Sequence, residues 1–142
     1  MQPLCKKFCS IMYIVNFQIK GADCKMIKFH SELGNINISS DVFTTLTGDA
    51  ATKCFGVKGM AVRSVKDGLV HLLKSEFMGK GIHITYNDDN SISISLHIAV
   101  DQGVNIPVVC ESIKDEVRYK VTKATGVDIK RIDVYVESMR LG

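Results

Sequence analysis

Four stretches of the chain alternate apolar and polar residues, which is the period of a β-strand with one buried face. The clearest is 91–100, where every second residue is a large aliphatic one. An alternation over 81–86 precedes it, and a cluster of Asn and Asp at 87–90 separates the two, so we expect a hairpin. Shorter alternations over 34–39 and 129–137 predict two further strands.

Three other stretches repeat apolar residues at helical spacing. The first follows an N-cap at Ser39 or Ser40 and ends at Gly56. The second covers about 64–75 and begins with a sequence that resembles a capping box. The third and longest covers 105–126, with an asparagine N-cap, a proline in the first turn and a glycine at its end.

These elements follow the order β-α-α-β-β-α-β. Because all the strands alternate, we expect one sheet face to be buried and the other to be exposed to water. The sequence therefore predicts an α+β fold, a two-layer sandwich with helices on one face of a mostly antiparallel or mixed sheet. A chain of 142 residues with 46% apolar side chains can bury one core of this kind without a metal or a disulfide.

The charge of the chain is unevenly distributed. Residues 1–25 carry four lysines and one aspartate, whereas 26–142 carry 14 basic and 14 acidic side chains. The first segment has no strand or helix period, and its residues 20–22 can be encoded by a bacterial ribosome-binding sequence. We therefore expect 1–25 to be a non-native or disordered leader, and 26–142 to be a single domain that starts naturally at Met26.

No motif for nucleotide binding, hydrolysis or zinc binding is present in the sequence. Cys54 and Cys110 fall on the apolar sides of predicted helices, so we expect reduced core thiols. Asp88 and Asp89 lie in a turn cluster, where they are better explained as turn formers than as an acid–base pair. We expect no catalytic, cofactor-binding or metal-binding residue.

Two histidines point outward from the predicted hairpin. If Ile84 pairs with Ile94, His83 faces Ser95 and lies diagonal to His97, within reach of a shared metal or anion. No carboxylate or thiol on the same strands completes a ligand set, which favours two solvated histidines. With the outward residues of the last strand, they form a predicted interaction face. Its members are His83, Ser95, His97, Asp133, Tyr135 and Glu137, and Asn35 and Asn37 extend it on the first strand.

Gly56 and Gly59 form a G-x-x-G sequence between two predicted helices, the kind of loop with which KH domains hold a nucleic-acid backbone. Basic residues surround it, so it is a candidate nucleic-acid loop. The alternative is that one glycine ends a helix and the other permits a turn. We favour that alternative, since the order of elements fits KH domains poorly. The candidate loop residues are Lys53, Lys58, Arg63 and Lys66.

Several stretches together resemble the alkaline shock protein family of Gram-positive bacteria, also called envelope stress response or Gls-type general stress proteins. The resemblance covers about 100 residues, and 61–69 resembles the subgroup encoded beside a dihydroxyacetone-kinase-like, fatty-acid kinase gene. The stretches that carry it are GNINIS at 34–39, FGVKGM at 55–60, KGIHI at 80–84 and VDQGVNIP at 100–107.

The resemblance implies a non-enzymatic cytoplasmic protein linked to cell-envelope stress, with no catalytic residues to carry over. Some relatives are held at the membrane by an integral-membrane partner, and some assemble into larger structures. We therefore expect a scaffold that self-associates and binds a protein partner, such as a membrane-anchor or kinase-like protein, without inserting into the membrane. The alternatives are a KH-like nucleic-acid module and an accessory subunit of a fatty-acid-kinase-like system.

Overall fold

A computed structural model of the chain describes residues 26–63, 70–73 and 79–141. Nine helices and strands lie within these ranges. The strands are β1 (Met26–Ser31), β2 (Gly34–Ser39), β3 (Val57–Arg63), β4 (Val70–Leu72), β5 (Ile82–Tyr86), β6 (Ile92–Asp101) and β7 (Ile129–Arg140). The helices are α1 (Ser40–Thr52) and α2 (Ile106–Thr125).

The main sheet is organised around β6. Along one edge β6 pairs antiparallel with β5, from Ile92 to Leu96, and then with β3, from Ile98 to Val100. Along its other edge it pairs in parallel with β7, and α2 makes the crossover that a parallel connection requires. The short strand β4 extends the sheet beyond β3. The predicted α+β class and mixed sheet are confirmed.

Both helices pack on one face of this sheet and enclose the core. The inward side chains of β6 are completely buried there, beneath apolar stripes on the two helices. Both stripes match the helical spacing in the sequence, because burying such a stripe is what holds an amphipathic helix on a sheet. The core residues are Ile92, Ile94, Leu96, Ile98 and Val100 from β6, Phe43, Ala50 and Ala51 from α1, and Val109, Ile113, Val117 and Val121 from α2.

The predicted helix over 64–75 is wrong where the structure describes it. Residues 70–72 form β4, which pairs with Ala61 through Arg63 of β3, and the amide of Leu73 donates to the carbonyl of Met60 at 2.8 Å. Sheet hydrogen bonds along the edge of β3 override the helical spacing of the leucines here. The other residues of the predicted helix lie outside the described residues.

The strand at Gly34–Ser39 belongs to a separate hairpin. It pairs with β1, which the sequence analysis did not predict, in a register that runs from Met26↔Ser39 to Ser31↔Gly34. Ile36 is 59% exposed, so the alternation of this strand does not reflect burial in the main sheet. Placing Asn35 and Asn37 on the same face as the β6 residues is therefore wrong.

The ends of α2 follow the sequence signals. The Asn105 side chain accepts a hydrogen bond from the amide of Val108 at 3.4 Å, as expected of an N-cap. At the other end Gly126 has a positive φ of 70°, and its amide donates to the carbonyl of Thr122 at 2.8 Å. These ends set the length of the crossover between β6 and β7.

A closely packed glycine joins α1 to the core, and its replacement should destabilise the fold. Gly56 has a φ of +85°, and an added Cβ would lie 3.1 Å from Val104 and 3.2 Å from Val109. Gly103 has nearly the same φ, +86°, but an added Cβ there would meet nothing within 4 Å. Because left-handed backbone costs roughly 1–2 kcal/mol and overpacking about 1–3 kcal/mol more, we expect Gly56→Ala to lose about 2–5 kcal/mol.

The matched control is Gly103→Ala, which should lose only the backbone cost of roughly 1–2 kcal/mol. The measurement is the free energy of unfolding in urea at constant m-value. Equal losses in the two variants would contradict the packing that we assign to Gly56.

The turn between β5 and β6 should give stability that depends on pH. Asp89 accepts hydrogen bonds from the Ser91 hydroxyl at 2.5 Å and the Ser91 amide at 3.3 Å, with the Lys130 ammonium 3.3 Å away. These contacts, chiefly the hydroxyl, hold the pKa of the Asp89 carboxyl below its usual range. A lowered folded pKa stabilises the protein above the ordinary carboxyl pKa, and this contribution is lost as pH falls through the lowered value.

We therefore expect Asp89→Asn, which retains an acceptor oxygen but no charge, to reduce stability at neutral pH and to approach wild type in acid. Urea unfolding between pH 7 and pH 2 measures this. Asp88→Asn is the control, since no described residue donates a hydrogen bond to Asp88. A deficit of Asp89→Asn that stays constant across the range would exclude the charge effect.

Candidate functional site

The side of the main sheet that faces away from the two helices carries a cluster of polar and aromatic side chains. We call it the outer-face cluster. β5, β6 and β7 contribute to it as three neighbouring strands, and its members are the six residues that the sequence predicted for an interaction face. These are His83, Ser95, His97, Asp133, Tyr135 and Glu137.

The register of the hairpin places the two histidines together. Ile84 pairs with Ile94 and His83 pairs with Ser95, as predicted. The rings of His83 and His97 are 5.6 Å apart between centroids and meet edge to face, with an interplanar angle of 84°. The two imidazoles are therefore in direct contact on the outer face.

β7 adds two contacts to His97 that complete the cluster. Tyr135 lies directly across from His97, and the two rings stack with centroids 4.8 Å apart and an interplanar angle of 13°. The Glu137 carboxylate lies 2.7 Å from Nδ1 of His97. A bulge between the β6–β7 pairs at Ile98 and Ala99 leaves Glu137 as an extra residue, which brings its carboxylate beside the imidazole.

The cluster is only partly exposed, so its geometry is restrained. The His97 side chain is 26% exposed and that of Glu137 is 16% exposed, whereas Tyr135 is 48% exposed. A half-buried His–carboxylate pair becomes a charge-assisted hydrogen bond when the imidazole is protonated. The arrangement offers a fixed aromatic surface, hydrogen-bonding groups and charge to a molecule that contacts the sheet.

The described residues provide little for covalent or metal chemistry. Cys54 and Cys110 are half-buried and not fully within the core as predicted, and burial raises the pKa of both thiols, which favours their protonated form. No group of three or more His, Cys, Asp or Glu side chains is placed to hold a metal ion within those residues. None of the described helices is long and apolar enough to span a bilayer.

The candidate nucleic-acid loop has a different structure from the one predicted. The G-x-x-G sequence does not lie between two helices, because Gly59 belongs to β3 and pairs with Ala99. Two of its lysines form ion pairs, Lys53 with Asp49 at 2.7 Å and Lys58 with Asp101 at 3.2 Å. Arg63 is the last residue of β3, and Lys66 lies outside the described residues. Nucleic-acid binding by this segment stays a prediction.

A groove on the helix side of the sheet was not predicted. It lies between the exposed side of α2 and the start of β7, and Tyr119, which is 59% exposed, lines it. The ammonium of Lys123 is 3.0 Å from the Tyr119 hydroxyl and 5.1 Å from its ring centroid. The outward helical position of Tyr119 was visible in the sequence, but its proximity to β7 depends on the crossover.

Comparison with known proteins places the chain in a single family. A model of the Asp23 family, described as having a cell envelope-related function, matches residues 28–141; here Asp23 is a family name and not a residue. Uncharacterized protein YloU of Bacillus subtilis (strain 168) is 30% identical over 116 residues, 81% of this chain and 96% of YloU. Uncharacterized protein Spy1614 of Streptococcus pyogenes serotype M6 is 32% identical over 116 residues, 81% of this chain and 95% of Spy1614. No solved structure matches the chain.

The ion pairs of the basic loop lead to a prediction about nucleic acids. We expect no measurable binding of single-stranded RNA or DNA by the full chain at physiological salt, because Asp49 and Asp101 already neutralise Lys53 and Lys58. Fluorescence anisotropy with labelled oligonucleotides measures this. A micromolar complex that weakens with salt would contradict this prediction. If Lys58→Ala then lowers the slope of log K against log salt by about one, the binding is assigned to this loop.

Proposed function

The chain belongs to the Asp23 family, whose function is related to the cell envelope, and on that premise we propose that it is a non-catalytic interaction protein. In this proposal it acts as a scaffold in the cytoplasm that supports the cell envelope under stress. The observation that carries the proposal is the outer-face cluster, where the His97 ring stacks on Tyr135 and contacts the Glu137 carboxylate.

The composition of this face suits a surface that binds another protein. The two described helices pack on the opposite face, so neither covers the cluster. Its serine, histidines, tyrosine and carboxylates are polar enough for contact with water, and three neighbouring strands present them on one face. Protein interfaces combine polar and aromatic groups in this way, and bulk hydrophobicity does not distinguish them.

Tyr135 is the proposed anchor of the interface. It is 48% exposed, and its ring can be buried by a partner while the hydroxyl keeps a hydrogen bond. Because the His97 ring already fixes its orientation, binding loses less side-chain entropy than it would for a mobile tyrosine. Tyrosine at the centre of an interface is typical of the few residues that dominate binding energy.

The partner classes in this proposal follow from the resemblance to alkaline shock proteins. They are a second copy of the chain, a membrane-anchor protein that would recruit the scaffold to the membrane, and a kinase-like protein. Residues 26–142 have equal numbers of basic and acidic side chains, so long-range repulsion between copies is small.

The test compares partner binding by variants of two tyrosines of similar exposure, one on the outer face of the sheet and one on the helix layer. The tagged full chain is purified from its native host, captured proteins are identified by mass spectrometry, and the strongest candidate is purified for direct binding measurements. We expect Tyr135→Ala to weaken binding at least about tenfold, since truncating an interface anchor commonly costs 2 kcal/mol or more. Tyr119→Ala on α2 is the matched control and should bind like wild type.

Circular dichroism of both variants confirms that each is folded. If Tyr135→Ala binds the purified partner as tightly as wild type does, the outer-face cluster is not the interface and the proposal fails. An equal loss of affinity in Tyr135→Ala and Tyr119→Ala would show that binding is not specific to the outer face, which would also contradict the proposal.

A further inference from the structure

Among the described strands, β7 forms one edge of the main sheet. Within the described residues it pairs only with β6, whereas β6 is paired along both of its edges. On the inner face Leu96 and Ile98 are completely buried, but their partners on β7, Val134 and Val136, are only half-buried. The outer edge of β7 thus lacks both a described strand partner and the full apolar cover that its neighbour has.

The middle of β7 also lacks the usual protection of an edge strand. Edge strands are commonly blocked by lysine, proline or bulges. β7 has these features near its ends, with Lys130 and Arg131 beside a first bulge and Glu137 at a second. The five residues between, 132–136, contain no proline, lysine or bulge, and their only charge is that of Asp133.

A second copy of β7 fits the inner side of this edge. In an antiparallel pairing with a two-fold axis at Val134, this valine lies opposite itself, and Ile132 lies opposite Val136 of the other copy. All of these pairs are apolar, and the valines gain the cover that they lack in one copy. This register also centres the pairing on 132–136, the segment between the two bulges.

The outer side of the edge selects the same register by charge. The two-fold at Val134 sets Arg131, whose guanidinium also contacts Asp133 of its own strand at 2.8 Å, opposite Glu137 of the other copy. It sets Asp133 opposite Tyr135. With the axis at Asp133, the two Asp133 carboxylates of the dimer would lie opposite each other. With the axis at Tyr135, Asp133 of one copy would lie opposite Glu137 of the other. Like charges directly across a strand pair are destabilising, so both neighbouring registers are disfavoured.

We propose that β7 pairs antiparallel with β7 of a second copy, which joins the two main sheets into one continuous sheet. The inference rests on the proposed interaction function and names one partner and its contact. A two-fold axis perpendicular to the sheet keeps both α2 helices on the same face.

Charge reversal at the two outer positions tests the pairing. Sedimentation velocity of the full chain should show a dimer for wild type. Arg131→Glu and Glu137→Arg should each weaken the dimer at least tenfold, because each places like charges across the strand pair twice. An equimolar mixture of these two variants should regain a dimer, since every such pair then joins opposite charges. Lys28→Glu, on the separate β1–β2 hairpin, is a control with the same change in charge and should stay dimeric.

A monomeric wild type overturns the proposal, and so does a mixture that remains as weakly associated as its components. A loss of the dimer in Lys28→Glu equal to that in Arg131→Glu would also overturn it, because a general charge effect would then explain both. Circular dichroism establishes that the variants are folded.

A cross-link gives a second test that does not depend on the charge variants. Residues directly opposite in antiparallel strands have Cα atoms about 4.5–5.5 Å apart, which suits a disulfide. Val134→Cys should therefore oxidise to a dimer linked through position 134, identified by peptide mass. Ile132→Cys should not link to itself, because its two copies would be about 13 Å apart along the strands. Absence of the first link, or equal formation of both, contradicts the register.

The two proposals can fail independently. A monomeric wild type that binds another protein through Tyr135 would overturn the pairing of β7 and leave the proposed function intact. A dimer linked at position 134 in which Tyr135→Ala changes no binding to another protein would support the pairing and contradict the outer-face cluster as the site for that protein.

Discussion

Burial of the inner side of β6 is the interaction on which the rest of the structure depends. Complete burial of an aliphatic side chain contributes roughly 1.5–3 kcal/mol, so the five inward residues of this strand together match the net stability of a typical domain. Both helices, β3, β5 and β7 are arranged around them. Because side chains alternate along a strand, the same burial turns Ser95 and His97 outward. The outer-face cluster is thus a direct consequence of the core.

The elements predicted well were those whose signals are local. The β5–β6 hairpin, α1 and α2 each have a clear period, and the ends of α2 have a capping asparagine and a terminal glycine. β4 was missed because the leucines in and around it fit helical spacing, while the backbone partner that makes it a strand lies on β3. β1 was missed because its alternation, with Ile27 and Phe29 inward and Lys28 and His30 exposed, is short and directly follows a segment without a period.

The contacts of the candidate site also differ in whether local sequence signals could predict them. The contact between His83 and His97 followed from the register of a single hairpin, since a short turn leaves few ways to pair two strands. The contacts of His97 with Tyr135 and Glu137 cross a parallel pair separated by a long helix and altered by a bulge. The alternation of side chains placed these residues on one face, but it could not give the register between β6 and β7. The carboxylate that the hairpin strands lack comes from the strand after the crossover.

The parallel crossover also determines the order in which the sheet can assemble. β6 can pair with β3 and β5 as soon as it has been synthesised, because both precede it in the chain. Its other edge stays open until the twenty residues of α2 and then β7 have left the ribosome. During this interval β6 lacks its neighbour β7 and its long covering helix, a state that favours aggregation. Molecular chaperones that shield nascent chains would therefore act on β6, at a stage defined by the length of α2.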